Sequence, residues 1–219
     1  MSGLHAHDGP PVFDGPFQRK LAALFAWRRD VRRFRPDPVD RDVLFDLLRQ
    51  ASLAPSVGFS QPWRFVVVDD PARRAAVRRN FENANARALA EYEGERARRY
   101  AGLKLAGLDE APVHLAVFAD AGTDRGSGLG RRTMPEMLAY SVVTAVYTFW
   151  LAARAAGIGV GWVSILDPEA VRRTLEVPEE WRLIGYLCVG YPAENQADPE
   201  LERHGWESRI DLEACVFQR

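Results

Sequence analysis

Four arginines surround one aspartate in Arg28-Arg29-Asp30-Val31-Arg32-Arg33, followed by Phe34. Guanidinium forks match phosphate and carbonyl oxygens, and their charge is permanent. A carboxylate among them adds a group able to accept a proton. By itself such a run more often is a solvated helix end, where cations complement the helix dipole. The residue types therefore specify either an anion and carbonyl clamp carrying its own base, or a charged surface. Context has to decide.

A second cluster is Ala54-Pro55-Ser56-Val57-Gly58-Phe59-Ser60-Gln61-Pro62-Trp63. Two serines and a glutamine beside a glycine offer compact hydrogen-bonding groups for a ligand, while Gly and Pro also punctuate ordinary turns. Ser164 closes an apolar stretch, and no histidine lies near it in sequence, so no Ser–His–Asp arrangement is indicated. Gly126-Ser127-Gly128-Leu129-Gly130 lies between a strand and a helix, but a GxGxxG fingerprint needs glycine where Arg131 stands. The loop reads as a flexible lid or a turn. Cys188 and Cys215 have no CxxC spacing, and His5, His7, His114 and His204 are scattered, so neither a disulfide framework nor a metal site is expected.

The elements that must hold these groups follow from periodicity. Residues 1–15 read as a loose Gly/Pro/His arm. Phe17, Leu21, Leu24 and Phe25 have helical spacing that breaks near Asp30, and Pro36 and Pro38 prevent continuation. Asp40 caps a second helix with Val43, Leu44, Leu47, Leu48 and Ala51 on its inner stripe. Strands are predicted at Trp63–Val68, Val113–Phe118, Val160–Ile165 and Leu183–Val189, with charged helices over 71–104 and a short helix opening at Asp167-Pro168. Met137–Ala156 is a long apolar helix ending at Gly157. Its Ser141, Thr144, Thr148 and Arg154 would be costly in lipid, so burial in protein is expected. The last thirty residues read as an extended arm.

The 219 residues have 47% apolar and 27% charged side chains and a net charge of −1, which suits one cytoplasmic domain over 16–219. That balance excludes a global electrostatic attraction to nucleic acid or anionic membranes. No basic-then-apolar start suggests export.

Together these motifs resemble the FMN-dependent nitroreductases. Their Arg-Arg-Ser-x-Arg-x-Phe/Tyr segment is similar to Arg28–Phe34, with Asp30 in place of serine. Their Pro-Ser-x-x-Asn-x-Gln-Pro-Trp loop is similar to Pro55–Trp63, with Phe59 in place of asparagine. The narrower likeness is to the 5,6-dimethylbenzimidazole synthase subgroup, the BluB type. It rests on Arg28–Arg32, on Gly128-Leu129-Gly130-Arg131-Arg132-Thr133-Met134-Pro135-Glu136, and on Gly159 to Pro168, with Gly205-Trp206 and Arg209 near the end.

The resemblance implies an α+β fold (an α/β sandwich) with a central mixed sheet, helices on both faces and extended terminal arms. It implies a homodimer with FMN between subunits, and a reaction in which reduced FMN and O2 give 5,6-dimethylbenzimidazole, the lower ligand of cobalamin, and erythrose 4-phosphate. A separate flavin reductase would supply reduced FMN. By matched position, Arg28 would hold the phosphate or ribityl chain and Arg32 the pyrimidine edge. Asp30 would act as base or proton shuttle at the first ribityl carbon, with Ser164 beside N5 and C4a as the second catalytic group. Ser56 would reach the flavin from its loop, across the dimer. Arg29, Val31 and Leu105 would contribute backbone groups, and Arg209 would bind phosphate from the C-terminal arm. A carboxylate beside an anionic reduced flavin is repelled by about 4 kcal/mol at 4 Å in an effective dielectric of ~20, a cost with no use in plain hydride transfer. The alternatives are an NAD(P)H-dependent nitro- or flavin reductase and a non-catalytic FMN-binding module.

Overall fold

The computed structural model describes residues 10–102 and 107–219. Pro10 to Asp14 are exposed and irregular. Helix α1 (Gly15–Trp27) then starts where the Asp14 carboxylate accepts the Phe17 N–H at 2.8 Å and a proline occupies the first turn. It ends as the chain turns extended at Arg28. Asp40 caps α2 (Arg41–Ala51) by accepting from Asp42 N–H. Leu44, Leu47 and Ala51 of α2 are buried; Val43, expected on the same stripe, is 36% exposed at its edge.

Next come β1 (Trp63–Val67), α3 (Pro71–Ala90), α4 (Gly94–Gly102), α5 (Gly107–Glu110) and β2 (Val113–Asp120). The long apolar helix α6 (Met137–Ala155) precedes β3 (Gly159–Val163), α7 (Pro168–Thr174) and β4 (Trp181–Gly190). The C-terminal stretch expected to be extended carries a short helix, α8 (Glu200–Arg203), and a 3-10 turn at Leu212–Cys215.

The strands form one sheet in the order β1-β2-β4-β3, and every neighbouring pair is antiparallel. The mixed sheet expected from the sequence is therefore corrected: the parallel element is a single bridge, Asp30 with Val160. Alternation along β2 divides the interior. Leu115, Val117 and Ala119 face a core built with α2 and α6, while Ala116 and Phe118 face α3, α5 and α7 through Val77, Leu108 and Val171. Each fully buried aliphatic or aromatic side chain contributes about 1.5–3 kcal/mol to this two-sided core.

Helix α6 is long and apolar enough to cross a membrane, yet Val142, Ala145, Val146 and Phe149 pack against the sheet and α2. Its opposite face leaves Tyr140, Val143 and Tyr147 exposed. The expectation of full burial holds for one face only.

One buried polar pair crosses β2 and β4. The His114 ring nitrogen lies 2.9 Å from the Tyr186 hydroxyl, and His114 is 2% exposed. Burial, helped by the nearby charge of Arg74, lowers the His114 pKa from 6.5 to about 4. The unfolded chain therefore takes up a proton that the folded chain refuses. Stability is full above pH 6.5 and falls as the pH drops towards 4, by about 3 kcal/mol in total. Denaturant midpoints at about pH 7 and about pH 5 should differ less in His114→Phe than in the wild type. Equal differences in both proteins would show that other groups control the acid transition.

Candidate active site

The arginine segment does not continue α1. Asp30 and Val31 lie along the edge strand β3, where Val31 N–H donates to Val160 O at 3.0 Å, and residues 33–35 pair with residues 191–193 beyond β4. Phe34, 5% exposed, is sunk in the core with its N–H on Glu110 Oε2 at 3.0 Å, and Arg35 N–H donates to Tyr191 O. The glycines of β3 make this approach possible. A Cβ on Gly161 would lie 2.2 Å from Val31 O, and one on Gly159 would lie 2.8 Å from the Val31 side chain.

Asp30 is held from two sides. Its Oδ1 accepts the Trp162 N–H at 2.8 Å, and its Oδ2 lies 3.4 Å from Arg32 Nε. Removal from bulk water pushes its pKa up. The Trp162 N–H and Arg32 pull it down, and the charge of Glu200 adds a smaller upward push. The carboxylate still reaches solvent through a cavity of about 450 Å3 lined by Arg29, Asp30, Arg32, Glu110, Glu200 and His204. A narrow cleft continues from Asp30 past Gly161, Trp162, Val163 and Cys188. A carboxylate held in this way at the mouth of a cavity is able to accept a proton from a group placed there.

The arginines around it differ in their pairing. Arg28 lies over the Trp150 ring at 4.7 Å, and Trp150 Nε1–H in turn donates to Arg29 O at 3.2 Å. Arg29 donates from Nε to Ala197 O at 2.6 Å and from Nη1 to Arg28 O. Its pKa is lowered by burial and by the charges of Arg28 and Arg209, with Asp198 opposing. Arg28, Arg29 and Arg209 thus form one cationic neighbourhood. Buried Arg28 Nε and Arg32 Nη1 have no hydrogen-bond acceptor among the described residues. Buried donors of this kind call for an acceptor from elsewhere, and a ligand with phosphate and carbonyl oxygens fits them.

Other expected site residues fall in different places. Ser164 is exposed just beyond β3, directly after cleft-lining Val163. Leu105 lies outside the described residues. Ser56 belongs to a separate neighbourhood: its Oγ accepts Gln61 N–H at 3.0 Å, and the adjoining Val57 N–H donates to Ser141 Oγ on α6. It does not line the cavity around Asp30. The loop is a strained turn, with positive φ at Gly58, Phe59 and Gln61. The glycines at 126–130 pack onto it, so closely that a Cβ on Gly126 would meet Gly58 O at 2.6 Å. Within one chain the glycine loop supports the Ser56 turn and does not line the cavity around Asp30.

Sequence reasoning missed Glu200, Glu110 and His204 in the cavity wall. Glu200 Oε2 lies 3.6 Å from Arg32 Nε, on a four-residue helix too short to give a periodic signal. Glu110 reaches Phe34 N–H over 76 residues of chain, a contact that no local pattern announces.

The model of the Nitroreductase family matches residues 25–191. The chain is similar to a 5,6-dimethylbenzimidazole synthase of Rhodospirillum rubrum, with 58% identity over 199 residues covering 91% of this chain and 94% of the relative. A second 5,6-dimethylbenzimidazole synthase, from Rhodobacter capsulatus, is 46% identical, with 92% and 97% covered. Among solved structures, oxidised iodotyrosine deiodinase bound to FMN and 3-iodo-L-tyrosine superposes with a TM-score of 0.72 at 27% identity, covering 91% of this chain and 97% of that one. A BluB-like flavoprotein of Clostridium difficile 630 shares the fold, with a TM-score of 0.68, 20% identity and coverage of 91% and 98%.

Proposed function

Because the chain belongs to the Nitroreductase family, we propose that it fragments reduced FMN with O2 to 5,6-dimethylbenzimidazole and erythrose 4-phosphate, the pyrimidine ring leaving as an oxygenated fragment with the remaining carbons and nitrogens. The observation that carries this reading is Asp30. It is a partly desolvated carboxylate fixed by the Trp162 N–H at the mouth of an arginine-lined cavity, in a chain 58% identical to a 5,6-dimethylbenzimidazole synthase.

When bound, reduced FMN supplies the electrons that O2 accepts and the dimethylated ring that leaves in the product. The chain's own residues do the rest. Arg28 and Arg209 bind the phosphate. Arg32 neutralises the pyrimidine edge and holds Asp30 ionised. With reduced FMN bound, Asp30 would take a proton from the first ribityl carbon, and Ser164 would orient the reacting edge of the ring. Backbone groups of Arg29 and Val31 other than those engaged by Trp150 and Val160 would complete the contacts.

Ser56 acts from a second copy of the chain. The absence of Ser56 from the Asp30 cavity supports this, as does the exposed Tyr140, Val143 and Tyr147 face of α6 beside its loop. Reduced FMN comes from a separate flavin reductase in the cytoplasm.

The test is to reduce the FMN-loaded protein without oxygen, admit air, and identify what remains by mass spectrometry. Loss of flavin with matching benzimidazole is the expected result. Intact FMN with rapid NADH turnover would instead mark a reductase. Intact FMN through repeated cycles without turnover would mark a binding module.

A further inference from the structure

Arg32 serves two carboxylates. Its Nε lies 3.4 Å from Asp30 Oδ2 and 3.6 Å from Glu200 Oε2, and its side chain is only 12% exposed. Glu200 comes from α8, which is anchored on both sides. Before it, Arg29 holds Ala197 O. After it, Trp206 packs edge-on against Tyr92 at 5.6 Å and beside Tyr100 at 6.1 Å, while Arg99 donates to Gly205 O. Tyr100 is itself tied to Asn85 of α3 at 2.8 Å. The short helix would not hold its place alone, and this aromatic anchor gives Glu200 a defined position.

We propose that Glu200 is a positioning residue for the reaction, dividing the Arg32 guanidinium with Asp30 and thereby setting the charge balance around the base. The inference rests on the reading of Asp30 as that base. A guanidinium paired with Asp30 alone would hold the carboxylate firmly ionised but make it a poor proton acceptor. The second carboxylate weakens that hold and adds its own repulsion. The other groups facing Asp30 do not replace it. Burial pushes the Cys188 thiol on β4 up to about 12, keeping it neutral, and Glu110 is engaged by Phe34 N–H. From its own segment Asp30 meets Arg29 and Arg33, from β3 the Trp162 N–H, and around the same cavity Glu194, Asp198, Arg203 and His204. Among these cavity groups Glu200 is the carboxylate that shares the Arg32 guanidinium.

The experiment follows benzimidazole formation against pH in the FMN-loaded protein, with flavin affinity measured alongside. Glu200→Gln should move the acid limb down by about half a pH unit or more and slow the reaction a few-fold at neutral pH, because a weaker base loses protons at lower pH but accepts them less readily. Glu200→Asp should restore the limb towards the wild-type position. Trp206→Ala, which frees α8 without touching a charge, should shift the limb in the same direction as Glu200→Gln. An unmoved acid limb in Glu200→Gln, or a change in flavin affinity alone, overturns the proposal. Asp30→Asn run in parallel separates the two ideas. If it keeps full product formation, the base reading itself has failed. If it is inactive while Glu200→Gln keeps the wild-type limb, only the role of Glu200 has failed.

Discussion

Asp30→Asn is expected to bind reduced FMN at least as tightly as the wild type and to release at least about a hundredfold less dimethylbenzimidazole, the loss typical of a missing general base. Asparagine keeps the shape and keeps an oxygen to accept the Trp162 N–H, so the segment should stay seated on β3. What it loses is the negative charge and the ability to take a proton. Removing the charge should favour an anionic ligand, since two like charges at 4 Å in an effective dielectric of ~20 repel by about 4 kcal/mol. Binding and chemistry should therefore separate in opposite directions. Fluorescence titration gives the first and mass spectrometry of the aerated mixture the second. Wild-type yield of benzimidazole would remove Asp30 from the chemistry, and loss of flavin binding would make it a structural residue.

Gly161→Ala should produce the largest structural loss. Its new methyl would sit 2.2 Å from Val31 O, and the obstacle is backbone, so no rotamer change relieves it. Either β3 or residues 30–34 must move. The second option breaks the Val31 N–H bond to Val160 O and the Trp162 N–H bond to Asp30 together. Overpacking of this kind costs about 1–3 kcal/mol, and more where a backbone contact is lost. The melting temperature should fall and flavin affinity should drop by more than about tenfold, because the arginine clamp and the base ride on that one segment. Gly157→Ala is the control. Gly157 has φ +75 with open space around it, so its variant meets only the local left-handed cost of about 1–2 kcal/mol. If the two variants bind flavin alike, the close approach at Gly161 is not what seats the site.

Much of the local structure was readable because its causes are local. Asp14, Asp40 and Asp167 each accept a backbone N–H at a helix start, and the last two were expected as caps. The break in α1 near Asp30 and the stop of α6 at Gly157 were legible for the same reason. Sheet order was not. β4 lies between β2 and β3, though β3 precedes it in the chain, and strand partners depend on which faces can be buried together. The parallel content expected of the sheet is one bridge, made where the arginine segment, which read as a helix end, lies against β3.

The site divides in the same way. Residue types and spacing by themselves left the arginine run with its acid open between a ligand clamp and a charged surface, marked the Pro55–Trp63 loop as a turn rich in hydrogen-bonding groups, and through the likeness of both motifs pointed to a flavin-binding family. Only the tertiary structure decided that Asp30 faces a cavity, that Ser56 lies in a different neighbourhood of the same chain, and that Glu200 shares the Arg32 guanidinium. A charge is legible in sequence, but its work depends on which opposite charges and how much water stand near it. Those are set by contacts between segments far apart along the chain.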